Sequence, residues 1–184
     1  MCIRDSTYPV LTATMFTRLP NRRAFMAATG CTLAAALVAP AHAADTLLTA
    51  CGRIGGGGVD ADGCRRYTRV QFERLPQTSF TTTSPWHRDP MTYTGVSVKD
   101  FAQAIEARGN RIRLIALNDY SVTADVDQLV ANGAILAHLR NGQPMPIADK
   151  GPVFVMFPFS SNAKLRADSI YVQAVWQLSR IEIV

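Results

Sequence analysis

Two short clusters of side chains could bind or act on a small molecule, and both combine an aromatic ring with polar groups. They are Trp86-His87-Arg88 and Asn118-Asp119-Tyr120. The first places a ring beside two basic groups, which suits an anion or an oxidised sulfur group; an exposed loop with one buried tryptophan is the simpler interpretation. The second would orient a small ligand at a strand end. It equally favours a turn stabilised by Asn and Asp side chains.

Cys51 and Cys64 lie 13 positions apart and flank four consecutive glycines at residues 55–58. In an exported chain such a pair most simply forms a disulfide that closes a flexible loop. A zinc site is the alternative, but its other ligands, His87 and His138, lack the spacing of a zinc finger. We therefore predict a disulfide and no metal site. His138, between apolar residues, is interpreted as a buried sheet histidine.

Residues 18–43 have the layout of a secretory signal, with a basic start, an apolar stretch and a small-x-small cleavage site ending at Ala43. We predict cleavage after Ala43, which leaves residues 44–184 as one exported domain in the bacterial periplasm. Arg22 and Arg23 resemble the twin-arginine form of signal, which exports proteins that are already folded.

Met15 stands where a twin-arginine signal normally begins, so we assign the signal peptide to residues 15–43. Residues 1–14 match no part of a signal, and we interpret them as a spurious N-terminal extension. A lipoprotein anchor at Cys31 is disfavoured, because Ala28 stands where a bulky aliphatic residue is required.

The basic charge of the chain is concentrated before residue 44. The 184 residues carry Lys+Arg 19 against Asp+Glu 14, a net charge of +5. From residue 44 onward we count 15 basic and 13 acidic residues, so the net charge of that part is +2. This removes the main support for nucleic-acid binding. No uninterrupted apolar run reaches the roughly 18 residues of a membrane span, so none is predicted for the mature form.

The elements that must position the two clusters are short strands and helices. Apolar residues three and four apart after the N-cap residue Ser97 predict a helix, and alternation in residues 111–117 predicts a strand with one solvated face. Asn141-Gly142 predicts a hairpin turn. The predicted strands are residues 46–54, 78–84, 111–117, 122–124, 134–139, 144–147, 153–157 and 176–184. The predicted helices are residues 69–75, 98–107 and 125–131, with residues 170–174 left open between helix and strand.

Four blocks, in order, carry a resemblance to a known family. They are Tyr93-Thr94-Gly95-Val96, Ala116-Leu117-Asn118-Asp119-Tyr120-Ser121, Asn141-Gly142-Gln143-Pro144-Met145-Pro146 with Lys150-Gly151-Pro152-Val153, and Trp176-Gln177-Leu178-Ser179-Arg180-Ile181-Glu182. Together they resemble the molybdopterin-binding domain of the sulfite oxidase family over residues 69–184. The resemblance implies a β-rich α+β fold with mixed sheets and a few short helices. It also implies a pterin-bound molybdenum centre that transfers oxygen atoms to or from small sulfur or nitrogen compounds.

The residues that would hold this molybdenum centre depart from the family pattern. The pattern implies a cysteine thiolate on the strand before Tyr93, whereas residues 78–84 contain no cysteine, and a hydroxyl is a poor substitute for a soft thiolate. Phe154 and Trp176 stand where the family has basic residues that would hold the pterin phosphate. Tyr120 matches the tyrosine that lines the family's active-site pocket. The aromatic residues interpreted as core, or as filling the former cofactor cavity, are Phe154, Phe157, Phe159 and Trp176.

Three functions from different classes are consistent with these residues. The first is a periplasmic module without a cofactor, which binds a small ligand or a protein partner and has no assigned catalytic residue. The second is an active molybdopterin-dependent oxidoreductase with an unusual metal shell; a twin-arginine signal favours it, because folded export suits a protein loaded with a cofactor. The third is an accessory subunit of a partner oxidoreductase, which would expose a large apolar patch.

Overall fold

The computed structural model describes residues 46–184, in which short strands alternate with short helices. The strands are β1 Thr46–Gly52, β2 Cys64–Thr68, β3 Gln77–Ser84, β4 His87–Ser97, β5 Arg111–Ala116, β6 Ser121–Asp125, β7 Ile135–Arg140, β8 Gln143–Pro144, β9 Phe154–Met156 and β10 Leu178–Ile183. The α-helices are α1 Arg69–Glu73, α2 Val98–Ala104, α3 Val126–Ala131 and α4 Asp168–Tyr171, with 3₁₀ helices at Ile147–Asp149 and Ala163–Arg166. The predicted signal peptide, the start at Met15 and the extension of residues 1–14 lie outside the described residues.

The strands form two sheets. The first has the order β2-β1-β10-β5-β6, in which only β1 and β10 are parallel, so this sheet is mixed. The second sheet is antiparallel, with the order β3-β4-β7, and β8 and β9 pair with successive parts of β7 on its other side. The two sheets contribute to a single hydrophobic cluster.

The alternation seen in the sequence explains which face of each strand is buried. In β5, Ile112 and Leu114 are buried whereas Arg111 and Arg113 are exposed, as a period of two requires. β9 is buried along its whole length, in agreement with its uninterrupted apolar sequence. Helix α2 adds Phe101 to the core, where its ring lies 6.0 Å from that of Phe72 in α1.

Two glycines of the sequence blocks are required by close backbone contacts. A Cβ atom at Gly95 would lie 2.0 Å from the carbonyl oxygen of Leu136 on the neighbouring strand β7. A Cβ atom at Gly151 would lie 1.9 Å from the carbonyl oxygen of Met145. Any side chain at these positions would push two backbone segments apart, so the close packing of the backbone requires glycine in both sequence blocks.

Most predicted elements are present, and their ends show where local patterns fail. Ser97 and Asp125 cap α2 and α3 through their side chains, as predicted. Two expectations were wrong: His87 and Arg88 begin β4 and do not lie in a loop, and most of the predicted strand 144–147 is replaced by a turn and a 3₁₀ helix. In addition, β2 was not predicted at all. Residues 170–174, left open, are helical or turn.

The architecture is therefore β-rich α+β, with mixed sheets and a few short helices, and this predicted fold class is confirmed. Among residues 46–184, no helix is both long enough and apolar enough to cross a bilayer.

The predicted disulfide is also confirmed: Cys51 and Cys64 are bonded and lie directly opposite each other on β1 and β2. The bond closes the glycine-rich loop, in which Gly57 has no neighbouring atom near its Cβ position. Because such a loop has high conformational freedom in the unfolded chain, the disulfide should stabilise the protein mainly by lowering the entropy of the unfolded state.

Replacing both cysteines (Cys51→Ala with Cys64→Ala) should lower the free energy of unfolding by about 3 kcal/mol, the value expected when a loop of this size loses its cross-link. Urea denaturation of the mature protein measures the loss. Reduced wild-type protein serves as the control and should show a similar decrease. A double variant as stable as the oxidised wild type would contradict this prediction.

Candidate functional site

An open cavity of about 340 Å³ lies between the β3–β4 turn, the end of α4 with the segment after it, and the end of β5 with the turn that follows it. Its volume falls in the range of small-molecule sites, which are concave and mostly apolar. The wall is built by four aromatic rings, four small or apolar residues and one amide: Trp86, Tyr120, Tyr171, Trp176, Ala116, Val172, Ala174, Val175 and Asn118.

Trp86 is the centre of the aromatic packing behind this cavity. Its ring centroid lies 5.3 Å from that of Phe154, 5.7 Å from that of Trp176 and 6.2 Å from that of Tyr171, and all three contacts are edge-to-face. This arrangement is the favourable one for aromatic pairs. Trp86 follows β3, Phe154 begins β9 and Tyr171 ends α4, so one side chain joins three separate parts of the chain.

The turn after β5 positions the polar residues of the wall. Asp119 adopts a left-handed conformation (φ 63°), and the side-chain oxygen of Asn118 accepts a hydrogen bond from the Tyr120 amide at 3.2 Å. This is the turn that Asn and Asp side chains favour. The Tyr120 hydroxyl then donates to the Val172 carbonyl at 3.1 Å, which connects the turn to the residue after α4.

Trp176 is held in place by the residue that follows it. The Gln177 amide donates to the Lys150 carbonyl at 3.0 Å, and the Gln177 side chain donates to the Ile147 carbonyl at 2.8 Å. These bonds fix the segment 147–150 beside Trp176, and the Lys150 ammonium lies 5.6 Å from the centroid of the Trp176 ring. The indole of Trp176 is 40% exposed, so the prediction that it belongs to the core was wrong. Its ring is exposed because it forms part of the wall of the open cavity.

A network of polar side chains, centred on His87, lies beside the aromatic rings. Arg140 forms an ion pair with Asp149 and donates to His87 Nε2 at 3.1 Å. A guanidinium only donates, so His87 Nε2 must accept, and the neutral ring carries its proton on Nδ1 and donates to the Tyr93 hydroxyl at 3.2 Å. Burial lowers the pKa of His87, and the positive charges of Arg140 and Lys150 lower it further.

His138 is buried in β7, as interpreted from the sequence, and belongs to a second polar network. The Gln77 amide nitrogen donates to the Phe72 carbonyl at 3.1 Å, which leaves the Gln77 side-chain oxygen to accept from His138 Nε2 at 3.1 Å. His138 Nδ1 has no hydrogen-bond partner among the described residues and lies 3.8 Å from a Glu73 carboxylate oxygen. Burial lowers the pKa of His138, against the opposing charge of Glu73.

The structure brings together part of each cluster singled out in the sequence. Trp86, Asn118 and Tyr120 line the cavity, whereas His87, Arg88 and Asp119 do not. The sequence analysis missed the wall residues at the end of α4 and in the segment after it, which are Tyr171, Val172, Ala174 and Val175. No local pattern marks them, because they become neighbours of Trp86 only through the tertiary fold.

The described residues do not fit a molybdenum centre held through a thiolate. On β3, where the resemblance implies the cysteine, Thr82 is buried and its hydroxyl accepts a hydrogen bond from the Ser160 amide at 3.0 Å. Cys51 and Cys64 are consumed by the disulfide in the other sheet, which also removes the zinc alternative. Within residues 46–184, no group of three His, Cys, Asp or Glu side chains is placed to hold a metal ion.

The position that the resemblance assigns to a phosphate-binding residue is also apolar here. Phe154 is fully buried, and its ring packs edge-to-face against those of Trp86 and Tyr93. The centroids of the Phe154 and Tyr93 rings lie 6.2 Å apart. A charged side chain could not replace it without burying an uncompensated charge.

Comparison with solved structures defines the class of fold. No family model and no curated protein sequence matches this chain. The chain is similar to the crystal structure of the sulfane dehydrogenase SoxCD from Paracoccus pantotrophus, with a TM-score of 0.54 and 14% identity, over 75% of this chain and 38% of that one. At this identity the likeness shows the fold alone, and it supports the predicted sulfite oxidase-like fold. The chain spans well under two thirds of the length of that solved chain.

The lowered pKa values of the two described histidines make stability depend on pH. Both bind protons less readily in the folded chain than in the unfolded chain, so their contribution is fully present above about pH 6.5 and is lost progressively as pH falls below it. We therefore expect the free energy of unfolding to decrease from about pH 7.5 to about pH 5.5, as measured by urea titration. The double variant His87→Gln with His138→Gln should show a flatter profile, and an unchanging wild-type value would contradict the assignment.

Proposed function

We propose that this protein is a periplasmic binding module that uses a sulfite oxidase-like fold without a molybdenum centre to hold a small molecule. The observation that carries the proposal is the cavity built around Trp86, with two tryptophans and two tyrosines in its wall. Exposed aromatic rings around a concave space are costly to leave in water, and they are typical of sites that are covered by a ligand.

Binding is favoured over catalysis by the chemistry of the wall. No acid, base or thiol is among the lining residues, and the hydroxyl hydrogen of Tyr120 is already used in a bond to Val172. The nearest titratable ring described above, His87, has both nitrogens engaged by Tyr93 and Arg140. A general acid or base must reach the reacting proton, and the Tyr171 hydroxyl, the one O–H of the wall without a partner among the described residues, has no carboxylate, imidazole or thiol beside it in the wall to exchange a proton with.

A protein partner is the second candidate, because exposed apolar side chains cluster at the same place. Tyr120, Val172 and Trp176 belong to the wall, and Leu117 and Ile147 lie next to Gln177 through hydrogen bonds to it. These five are among the seven large hydrophobic side chains exposed within residues 46–184. Such a rim suits the accessory-subunit function, in which a partner oxidoreductase would cover the cavity mouth.

Export to the periplasm is part of the proposal. The disulfide is of the kind that persists in oxidising compartments. N-terminal sequencing of the secreted form should find Ala44 as its first residue, and the precursor should start at Met15. A secreted form that keeps the twin arginines would contradict the cleavage site.

Protein purified from the periplasm of a host that makes molybdenum cofactor should contain neither molybdenum nor pterin in stoichiometric amount. The physical reason is the absence of a thiolate on β3 and the fully buried Phe154. Elemental analysis and pterin fluorescence measure the content, with a cysteine-containing relative as positive control. Near-stoichiometric cofactor would establish the alternative, an active molybdopterin-dependent oxidoreductase.

Ligand binding should be visible in the intrinsic fluorescence of the protein, because its only two tryptophans, Trp86 and Trp176, both line the cavity. Small ring compounds should quench or shift this emission in a saturable way. Val172→Phe narrows the cavity from an exposed position and should weaken binding roughly tenfold or more. Val70→Phe, on the exposed side of α1, is the matched control and should bind like wild type. If no ring compound binds while a partner protein does, the second candidate is correct.

A further inference from the structure

The free polar groups of the cavity wall are mostly hydrogen-bond donors. The Asn118 side-chain oxygen is occupied by the Tyr120 amide, whereas its NH₂ group has no partner among the described residues. The indole N–H groups of Trp86 and Trp176 likewise have no hydrogen-bond partner within residues 46–184. The hydroxyl oxygens of Tyr171 and Tyr120 can also accept, although Tyr120 already donates its hydrogen to the Val172 carbonyl. Such a wall is complementary to a ligand that carries acceptor oxygens.

A positive charge that forms no ion pair within the described residues lies next to a residue of this wall, although the neighbouring Asp149 carboxylate offsets part of it. The ammonium group of Lys150 faces the Trp176 ring at 5.6 Å from its centroid, and within the described residues it has neither an ion pair nor a hydrogen-bond acceptor. The other cation nearby, Arg140, is neutralised by its ion pair with Asp149. The bond from the Gln177 amide fixes the Lys150 backbone next to Trp176, whose ring lines the cavity, while the long Lys150 stem remains flexible.

This charge also decides against a cationic ligand. Aromatic walls can attract quaternary ammonium groups, but here Lys150 already occupies one face of Trp176. No carboxylate lines the cavity to offset a second cation. A cationic ligand would therefore meet uncompensated repulsion, whereas an anion would be attracted.

We infer that the ligand is a small planar ring compound carrying one carboxylate. Its ring would lie against Trp86 and Trp176, and its carboxylate would accept hydrogen bonds from Lys150 and from the free donors of the wall. The inference rests on the proposed function, and it adds the chemical class of the ligand. A charge-assisted bond of this kind is stronger than a neutral one and confers selectivity for the acid over its uncharged analogue.

The experiment compares three probes of one shape and different charge: phenylacetate, phenylacetamide and 2-phenylethylammonium. Affinities of the mature protein are measured by isothermal titration calorimetry and by tryptophan fluorescence excited where the probes do not absorb. Phenylacetate should bind roughly tenfold more tightly than phenylacetamide, and the ammonium compound should bind most weakly. The preference for the acid should shrink at high salt, because the Lys150 side chain is only half-buried.

Two substitutions assign the preference to one residue. Lys150→Gln should bring the ratio of the two affinities close to one, and Lys150→Glu should reverse it. Lys164→Gln removes an equivalent charge from an exposed 3₁₀ helix and should keep the wild-type ratio. Circular dichroism confirms that each variant is folded before its ratio is used.

The outcomes separate the two levels of the proposal. If wild type binds the acid and the amide equally, or prefers the amide, the carboxylate inference is overturned and the binding function stands. If the acid is preferred but Lys150→Gln keeps the preference, the assignment to Lys150 is wrong. If none of the probes, nor their naphthyl counterparts, perturbs the tryptophan emission, the small-molecule function itself fails.

Discussion

The edge-to-face packing of Trp86 against Phe154, Tyr171 and Trp176 is the interaction on which the rest of the site depends. These four rings come from the β3–β4 turn, from β9, from α4 and from the segment before β10. The helices and turns that carry them are too short to be stable alone, and their position follows from packing of their side chains. The cavity is thus defined by side-chain contacts between distant segments. The hydrogen bonds of Tyr120 and Gln177 then fix its rim.

The local elements of the fold could be predicted because their signals are local. Ser97 and Asp125 cap helices through bonds to amides three residues away, and the alternation around Leu114 follows from the pleat of a strand. β2 escaped prediction because its polar sequence gives no alternation; it is a strand because Cys64 lies opposite Cys51 across a ladder to β1. The parallel pairing of β1 with β10 joins residues more than a hundred positions apart, such as Thr49 and Arg180, and has no local signature in the sequence.

The candidate site could be predicted only in part, for the same reason. Trp86, Asn118 and Tyr120 stood out because polar and aromatic residues are adjacent in sequence. Tyr171 did not, because nothing in its surroundings along the chain sets it apart from a core residue. Trp176 was misjudged, since a tryptophan beside apolar residues is normally buried, and its 40% exposure arises from the open space in front of it. The sequence thus identified the wall residues of the β3–β4 turn and of the turn after β5, and it missed those at the end of α4 and after it.

The aromatic residues at 154 and 176, where the family resemblance implies basic ones, have a consequence for the charge around the cavity. Phe154 is fully buried among rings, so any charge placed at this position would be uncompensated. A positive charge next to a wall residue is instead that of Lys150, whose half-buried side chain faces the Trp176 ring. A buried charge binds an anion deep inside, whereas a charge beside the wall orients an anion whose apolar body enters first. The arrangement of this chain is the second, and it suits a ligand that is apolar at one end and charged at the other.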